Sequence, residues 1–153
     1  MPTEKKILTG LDSIEYEHPL DKEYLDILEN IPGLPLLSKK FIEWLPENIF
    51  RVQNTGSYLQ ITPKSMPEVY QCLQEATEIL DLDKTPQFFV RWDHSINAYT
   101  SGVEKPFIVI NSGCIDLLER DELMFILGHE IGHIKSGHVL YHQMADVFPA
   151  LVE

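Results

Sequence analysis

Residues 120–138 read RDELMFILGHEIGHIKSGH, and this stretch decides both the fold and the chemistry of the chain. Its apolar residues recur at helical spacing, because Leu123, Leu127 and Ile131 follow one another at intervals of one turn. They form a stripe that a helix buries against a core. The pattern predicts a long amphipathic helix that runs from the start of this stretch to about Asp146.

The same helix carries the motif HExxH. His129 and His133 lie one turn apart on one face, so their imidazoles can reach a single metal ion. Imidazole nitrogen binds Zn²⁺ at about 2.0–2.1 Å. Glu130 lies about 100° around the helix from His129, too offset to be the natural third ligand but able to take a proton from a zinc-bound water. The spacing therefore predicts Zn²⁺ as cofactor, His129 and His133 as ligands, and Glu130 as catalytic base.

A chance HExxH on a solvated helix face, with at most a structural role, is the alternative. The apolar residues on both sides of the motif favour a buried helix. Unpartnered polar groups there cost about 1–3 kcal/mol each, and a metal supplies the partner. The helical wheel places His138 in the apolar stripe with Ile134 and Tyr141, so we expect a core histidine rather than a ligand.

The chain before this helix favours a small β-sheet and one backing helix. Strands are expected over 49–53, 58–62, 88–92, 97–100 and 107–110, with a hairpin turn over 54–57 and the unbroken apolar run 107–110 at the centre. A helix capped by Ser65 and ending near Leu80 has one apolar face. The predicted fold class is α+β, with residues 47–153 as the main domain. Residues 1–46 are expected to be a helical lead with short helices over 21–30 and 38–44.

Composition and charge exclude several classes of protein. The 153 residues are 44% hydrophobic and 24% charged, which is typical of one globular domain. The formal charge of −12 makes nucleic acid an unlikely partner. Two cysteines indicate a reducing compartment rather than a disulfide framework. Neither a signal peptide nor a membrane span is visible, so the sequence predicts a soluble, cytoplasmic protein.

Three segments resemble one known family. Residues 129–138 closely resemble the active-site helix of the zinc metallopeptidases that include HtpX and the CAAX prenyl protease, which belong to the gluzincin group. Residues 97–102, NAYTSG, resemble the Asn-Ala-aromatic segment of that family, and residues 107–118 resemble its strand-then-helix lead into the motif. The likeness extends over about residues 58–146 and implies a zincin-like domain.

The resemblance implies a zinc metalloendopeptidase that cleaves peptide or protein substrates. Within it, His129 and His133 match the zinc ligands and Glu130 matches the general base. Asn97 and Ala98 match part of an edge strand that aligns the substrate through main-chain pairing.

One departure from the family concerns the third zinc ligand, which gluzincins take as a Glu from a later helix. After His133 the acidic residues are Asp146 and Glu153. Asp146 would lie four turns away on the same helix and out of reach. The position of Glu153 resembles the spacing in thermolysin-like gluzincins, but it is a weak candidate because no supporting helix remains. We expect the third-ligand region to be absent from these 153 residues. An inactive or non-catalytic module that binds peptide or zinc weakly is therefore the alternative function, and exposed apolar surface favours a homo-oligomer.

Overall fold

The computed structural model of the protein describes residues 6–12, 15, 26–27, 30–44, 56–103, 105–137 and 139. In chain order its elements are helix α1 (Leu34–Trp44), strand β1 (Leu59–Gln60), helix α2 (Pro67–Ile79), strand β2 (Gln87–Arg91), strand β3 (Ala98–Ser101), strand β4 (Phe107–Asn111), helix α3 (Ser112–Leu117) and helix α4 (Arg120–Lys135). A small mixed sheet with helices confirms the predicted α+β class.

Strand β4 lies inside the sheet, whose order is β1-β2-β4-β3. It runs parallel to β2 and antiparallel to β3, while β1 pairs antiparallel with β2. All five residues of β4 are buried, as the unbroken apolar run predicted. Within the described residues β3 is an edge strand, and it lies beside helix α4.

The main core lies between one face of the sheet and helices α2 and α4. It contains the predicted stripe of α4 and the apolar face of α2, packed on strands β2 and β4. These residues are Leu123, Leu127 and Ile131 from α4, Cys72, Leu73 and Ala76 from α2, and Phe88, Val90, Ile108 and Ile110 from the strands. A second cluster of Phe89, Phe107 and Val109 lies on the other face of the sheet. Both faces of β4 are therefore covered, and the α4 stripe is confirmed as the core side of that helix.

Helix α2 begins one residue later than its predicted cap at Ser65 implies. Its N-cap is Met66, without a side-chain cap, and Pro67 occupies the first helical position. The predicted Ser65 cap is wrong because that hydroxyl serves the preceding turn. It donates to the carbonyl of Gln60 at 3.0 Å and accepts from the main-chain N–H of Thr62 at 2.9 Å.

Helix α4 ends at Lys135, so the prediction of one helix to Asp146 is wrong. Gly137 has a φ of 71°, a left-handed conformation, and its N–H bonds to the carbonyl of Ile134 at 3.2 Å. A glycine of this kind directly after the last turn terminates a helix. The helical wheel that placed His138 in the core assumed an uninterrupted helix, so it does not apply beyond Lys135. His138 and Tyr141 lie outside the described residues.

Part of the N-terminal lead contacts the end of α2. The N–H of Leu8 donates to the carbonyl of Ile79 at 3.0 Å, and the N–H of Gly10 donates to the Asp81 carboxylate at 2.7 Å. Helix α1 confirms the helix predicted over 38–44, beginning four residues earlier. Only positions 26, 27 and 30 of the helix expected over 21–30 are described, and the strand expected over 49–53 lies outside the described residues. The domain boundary at 46/47 stays a prediction.

The described helices differ in length and in apolar character. None of them combines the length and the apolar character that crossing a membrane demands.

Candidate active site

Two histidine side chains on α4 point at one place. The Nε2 atoms of His129 and His133 are 3.1 Å apart, and the ring centroids are 4.5 Å apart with the planes at 80°. This separation is less than twice the zinc–nitrogen bond length of about 2.0–2.1 Å, so both nitrogens can bind one ion. The helical spacing thus produces a donor pair that fits Zn²⁺.

The two histidines differ from what their apolar neighbours suggested. His129 is exposed and His133 is half-buried, so the expectation of a buried histidine pair is wrong. The solvent-exposed side of the helix also carries Phe125, whose exposed fraction is 77%. The two histidines therefore do not need a metal to offset burial, and the convergence of their Nε2 atoms is instead the support for a metal site.

Glu130 is the buried member of the motif, with an exposed fraction of 6%. Its carboxylate oxygen Oε2 accepts a hydrogen bond from the Thr100 hydroxyl at 2.7 Å, and the same hydroxyl lies 3.2 Å from the main-chain oxygen of Glu130. The base candidate therefore contacts edge strand β3. Sequence reasoning missed Thr100, because the two residues are 30 positions apart and only the packing of α4 on β3 joins them.

Strand β3 begins at Ala98, and the end of β4 holds the residue directly before it, Asn97. The carbonyl of Asn97 accepts hydrogen bonds from the N–H of Asn111 at 2.9 Å and from the Cys114 thiol at 3.3 Å. Burial raises the pKa of the Cys114 thiol, which keeps it protonated as a donor. The carbonyl of Asn97 is therefore already hydrogen-bonded within the fold.

From Asn97 onward, successive residues direct their main-chain N–H and C=O groups alternately toward β4 and away from it. Because Asn97 is hydrogen-bonded to Asn111, the next pair, Ala98 with Ile110, is one whose main-chain groups face away from β4. Ala98 presents its N–H and C=O at the edge that β4 does not occupy, and the side chain of Asn97 is exposed.

The loop that enters β3 is held just as closely by helix α3. The carbonyl of Asp93 accepts from the N–H of Gly113 at 2.9 Å and from the Ser112 hydroxyl at 3.0 Å. A Cβ added at Gly113 would lie 2.3 Å from the carbonyl oxygen of His94 and 2.8 Å from that of Ser95. Only glycine permits this approach between loop and helix.

The Asp93 carboxylate adds a second tie within the loop. It accepts from the N–H of Ser95 at 2.9 Å, from the guanidinium of Arg91 at 2.5 Å and from the Ser95 hydroxyl at 2.8 Å. These hydrogen bonds favour the charged form and hold the pKa of Asp93 well below its usual range.

A third metal ligand is not found in the part of the chain that the structure describes. No group of three or more His, Cys, Asp and Glu side chains suited to a metal occurs there. Asp146 and Glu153, the candidates named from the sequence, lie outside that part.

Comparison with known proteins decides the family. The family model described as Peptidase family M48 matches residues 63–152, more than half of the chain. The chain belongs to peptidase family M48. The matched residues include helix α2, strands β2 to β4 and the motif helix α4. The match confirms the resemblance to HtpX-like metallopeptidases.

Individual M48 relatives are similar over different parts of the chain. Plastoglobule-localized metallopeptidase 48, chloroplastic, from Arabidopsis thaliana is 34% identical over 143 residues, covering 92% of this chain and 41% of that protein. A Protease HtpX homolog from Dictyoglomus thermophilum is 37% identical over 70 residues, covering 44% of this chain and 23% of that protein. Protease HtpX from Xylella fastidiosa is 24% identical over 104 residues, 65% and 36% of the two chains. The chain thus spans about two fifths or less of these relatives.

Proposed function

We propose that this M48 chain is part of a zinc-dependent endopeptidase that hydrolyses peptide bonds in protein substrates. The observation that carries the proposal is the convergence of the His129 and His133 Nε2 atoms at 3.1 Å, with a buried glutamate between them in sequence. Two imidazoles and an adjacent carboxylate are the groups that metal-assisted hydrolysis requires.

In this proposal His129 and His133 hold the metal. When bound, zinc supplies Lewis acidity and lowers the pKa of a bound water to about 7. Glu130 takes the proton of the attacking water on its carboxylate and later returns it to the leaving amine. Burial of Glu130 against β3 keeps that carboxylate away from bulk water, so its proton exchanges with the reacting groups.

The substrate is proposed to bind as an added strand on β3. Ala98 offers main-chain N–H and C=O groups at the open edge, and an extended peptide can pair with them. The main-chain oxygen of Asn97 is already bonded to β4, so Asn97 contributes its exposed side chain instead. Main-chain pairing also explains how varied sequences could be accepted.

Glu130→Gln in the natural full-length chain tests the proposal. We expect hydrolysis of casein to fall by at least about 100-fold, the lower range for loss of a general base, while one zinc per chain is retained. His133→Ala is the paired variant and should lose zinc and activity together. Full activity in Glu130→Gln would remove Glu130 from the base role, and loss of both zinc and fold would make its role structural.

The second candidate function is a module that binds zinc or peptide weakly without cleaving it. It is favoured by the two metal-ligating side chains within the described residues, where catalytic zinc usually has three protein ligands. Binding of casein or zinc without any hydrolysis by the full-length chain would support it. A homo-oligomer and a cytoplasmic location stay predictions. The Arabidopsis relative is, by its name, a chloroplast protein of plastoglobules.

A further inference from the structure

The hydroxyl of Thr100 holds the carboxylate of the proposed base. It donates to Oε2 of Glu130 at 2.7 Å, and no other side chain in the described residues is seen donating to this carboxylate. The hydroxyl oxygen also lies 3.2 Å from the main-chain oxygen of Glu130, so Thr100 sits against the helix backbone as well. Two contacts to one residue fix the position of the donor relative to α4.

The donor itself has little freedom to move. Thr100 is paired with Ile108 in the centre of β3, and a β-branched side chain in a strand is restricted about χ1. The hydroxyl has one proton to donate, so it engages one carboxylate oxygen and leaves Oε1 without that bond. The contact therefore selects which oxygen of Glu130 is held and restricts rotation of the carboxylate.

Orientation of this kind matters for a general base. Catalytic groups must be held within about 0.5 Å and 10–20° of the productive geometry by neighbours that are themselves fixed. We propose that Thr100 is a positioning residue, which binds Oε2 of Glu130 so that Oε1 faces the attacking water and receives its proton. This inference rests on the proposed function, since it assigns to Thr100 a part in that same reaction.

Thr100 also links base orientation to substrate binding. Its main-chain groups, like those of Ala98 two residues earlier, face the edge that β4 does not occupy. A change of its side chain alone leaves these main-chain groups in place. Loss of the hydroxyl should consequently affect turnover and leave substrate affinity nearly unchanged.

Thr100→Val in the zinc-loaded full-length chain tests the assignment, because valine keeps the shape and removes the hydroxyl. We expect kcat to fall about 10–100-fold, the usual effect of losing an indirect partner of a metal site, with KM within about twofold and zinc content unchanged. Thr100→Ser should keep most of the activity. Thr77→Val is the matched control: it removes a buried hydroxyl that bonds the carbonyl of Leu73 at 2.7 Å inside α2, and it should leave kcat unchanged.

A second readout is independent of zinc and of activity. In the metal-free chain, the ¹³C resonance of the Glu130 carboxyl carbon, assigned with Glu130→Gln, should shift in Thr100→Val at fixed pH and stay in place in Thr100→Ser and Thr77→Val. An unshifted resonance in Thr100→Val would overturn the inference.

The kinetic outcomes separate this inference from the proposed function. A wild-type chain without hydrolysis refutes the proposed function and the inference with it. An active wild type whose Thr100→Val variant keeps its kcat refutes the inference alone. A rise in kcat also refutes it, because the contact would then restrain Glu130 away from the water. Equal losses in Thr100→Val and Thr100→Ser would assign the effect to packing and contradict the role of the hydroxyl.

Discussion

The entrance to strand β3 and the histidine face of helix α4 are the two sides of the candidate site, and they are held in opposite ways. The entrance is tied by main chain, with Asn97 and Asp93 bonded to the β4–α3 junction and Gly113 pressed against the loop. The histidine face is partly exposed to solvent, and among the described residues a Cβ at Gly128, next to His129, would meet nothing within 4 Å. Folding fixes the proposed substrate side, whereas the proposed metal side would be completed by a bound ion.

This difference predicts which substitutions change the stability of the fold and which change only what the site binds. A substitution that displaces main chain at the strand entrance should cost folding free energy, because several hydrogen bonds hold that main chain in place. A substitution on the histidine face should leave the fold nearly intact and change only what the face binds. Matched substitutions in the two regions test this predicted difference.

Gly113→Ala should have the largest effect on stability. Its Cβ would lie 2.3 Å from the carbonyl oxygen and 2.6 Å from the carbonyl carbon of His94, and both are main-chain atoms. The free energy of unfolding should fall by about 3 kcal/mol, the upper part of the range for overpacking. Urea denaturation measures the change, and a loss below about 1 kcal/mol would show that the loop is free to move.

Gly128→Ala is the same substitution on the histidine face and should act in the opposite direction. The position lies inside α4, and the added methyl group has open space around it. Alanine should raise the free energy of unfolding by up to about 1 kcal/mol, since glycine is the poorer helix former. The same denaturation experiment measures it. A loss as large as that of Gly113→Ala would remove the contrast between the two regions.

His129→Ala should change the stability of the metal-free chain by no more than about 0.5 kcal/mol, as for other exposed positions. The ring is exposed and contacts His133, so few buried contacts are lost. Thermal unfolding in the presence of a chelator measures the effect. Leu127→Ala on the buried face is the control and should cost about 2–5 kcal/mol. Similar losses in the two variants would contradict the assignment of the two helix faces.

Asp93→Asn should have the smallest effect and a pH dependence that identifies it. The pKa of Asp93 is lowered by its hydrogen bonds, so the contribution to stability is present above the unfolded value of about 3.9 and disappears as pH falls through the folded pKa. The difference in melting temperature between wild type and variant should thus be constant near neutrality and shrink below about pH 4. Asp83→Asn, an exposed carboxylate at the other end of β2, serves as control. A difference that persists in acid would exclude the carboxylate as its cause.

The sequence predicted the elements well where one face of each had a regular apolar pattern. The stripe of Leu123, Leu127 and Ile131 and the unbroken run of β4 gave the correct core, because burial and periodicity are local properties. The end of α4 was predicted wrongly although Gly137 carried a usable signal: a glycine that follows a lysine in the last turn is typical of a helix C-terminus.

The candidate site could be predicted only as far as its local part. His129, Glu130 and His133 share one helix, so their spacing in sequence fixes their spacing in space. The bonds of Thr100 to Glu130 and of Cys114 to Asn97 join residues 30 and 17 positions apart, and depend on how the elements pack. The exposure of His129 was missed for a different, local reason, because its apolar neighbours in sequence lie on another face of the helix.

Zinc binding by the natural full-length chain tests the central claim most directly. We predict one zinc per chain by calorimetric titration, with the affinity reduced at least about 100-fold in both His129→Ala and His133→Ala and nearly unchanged in Glu130→Gln. Such a result would assign the metal to the two histidines and leave the glutamate free for proton transfer. Wild-type zinc affinity in either histidine variant would contradict the account, since the metal would then be bound elsewhere or not by this pair.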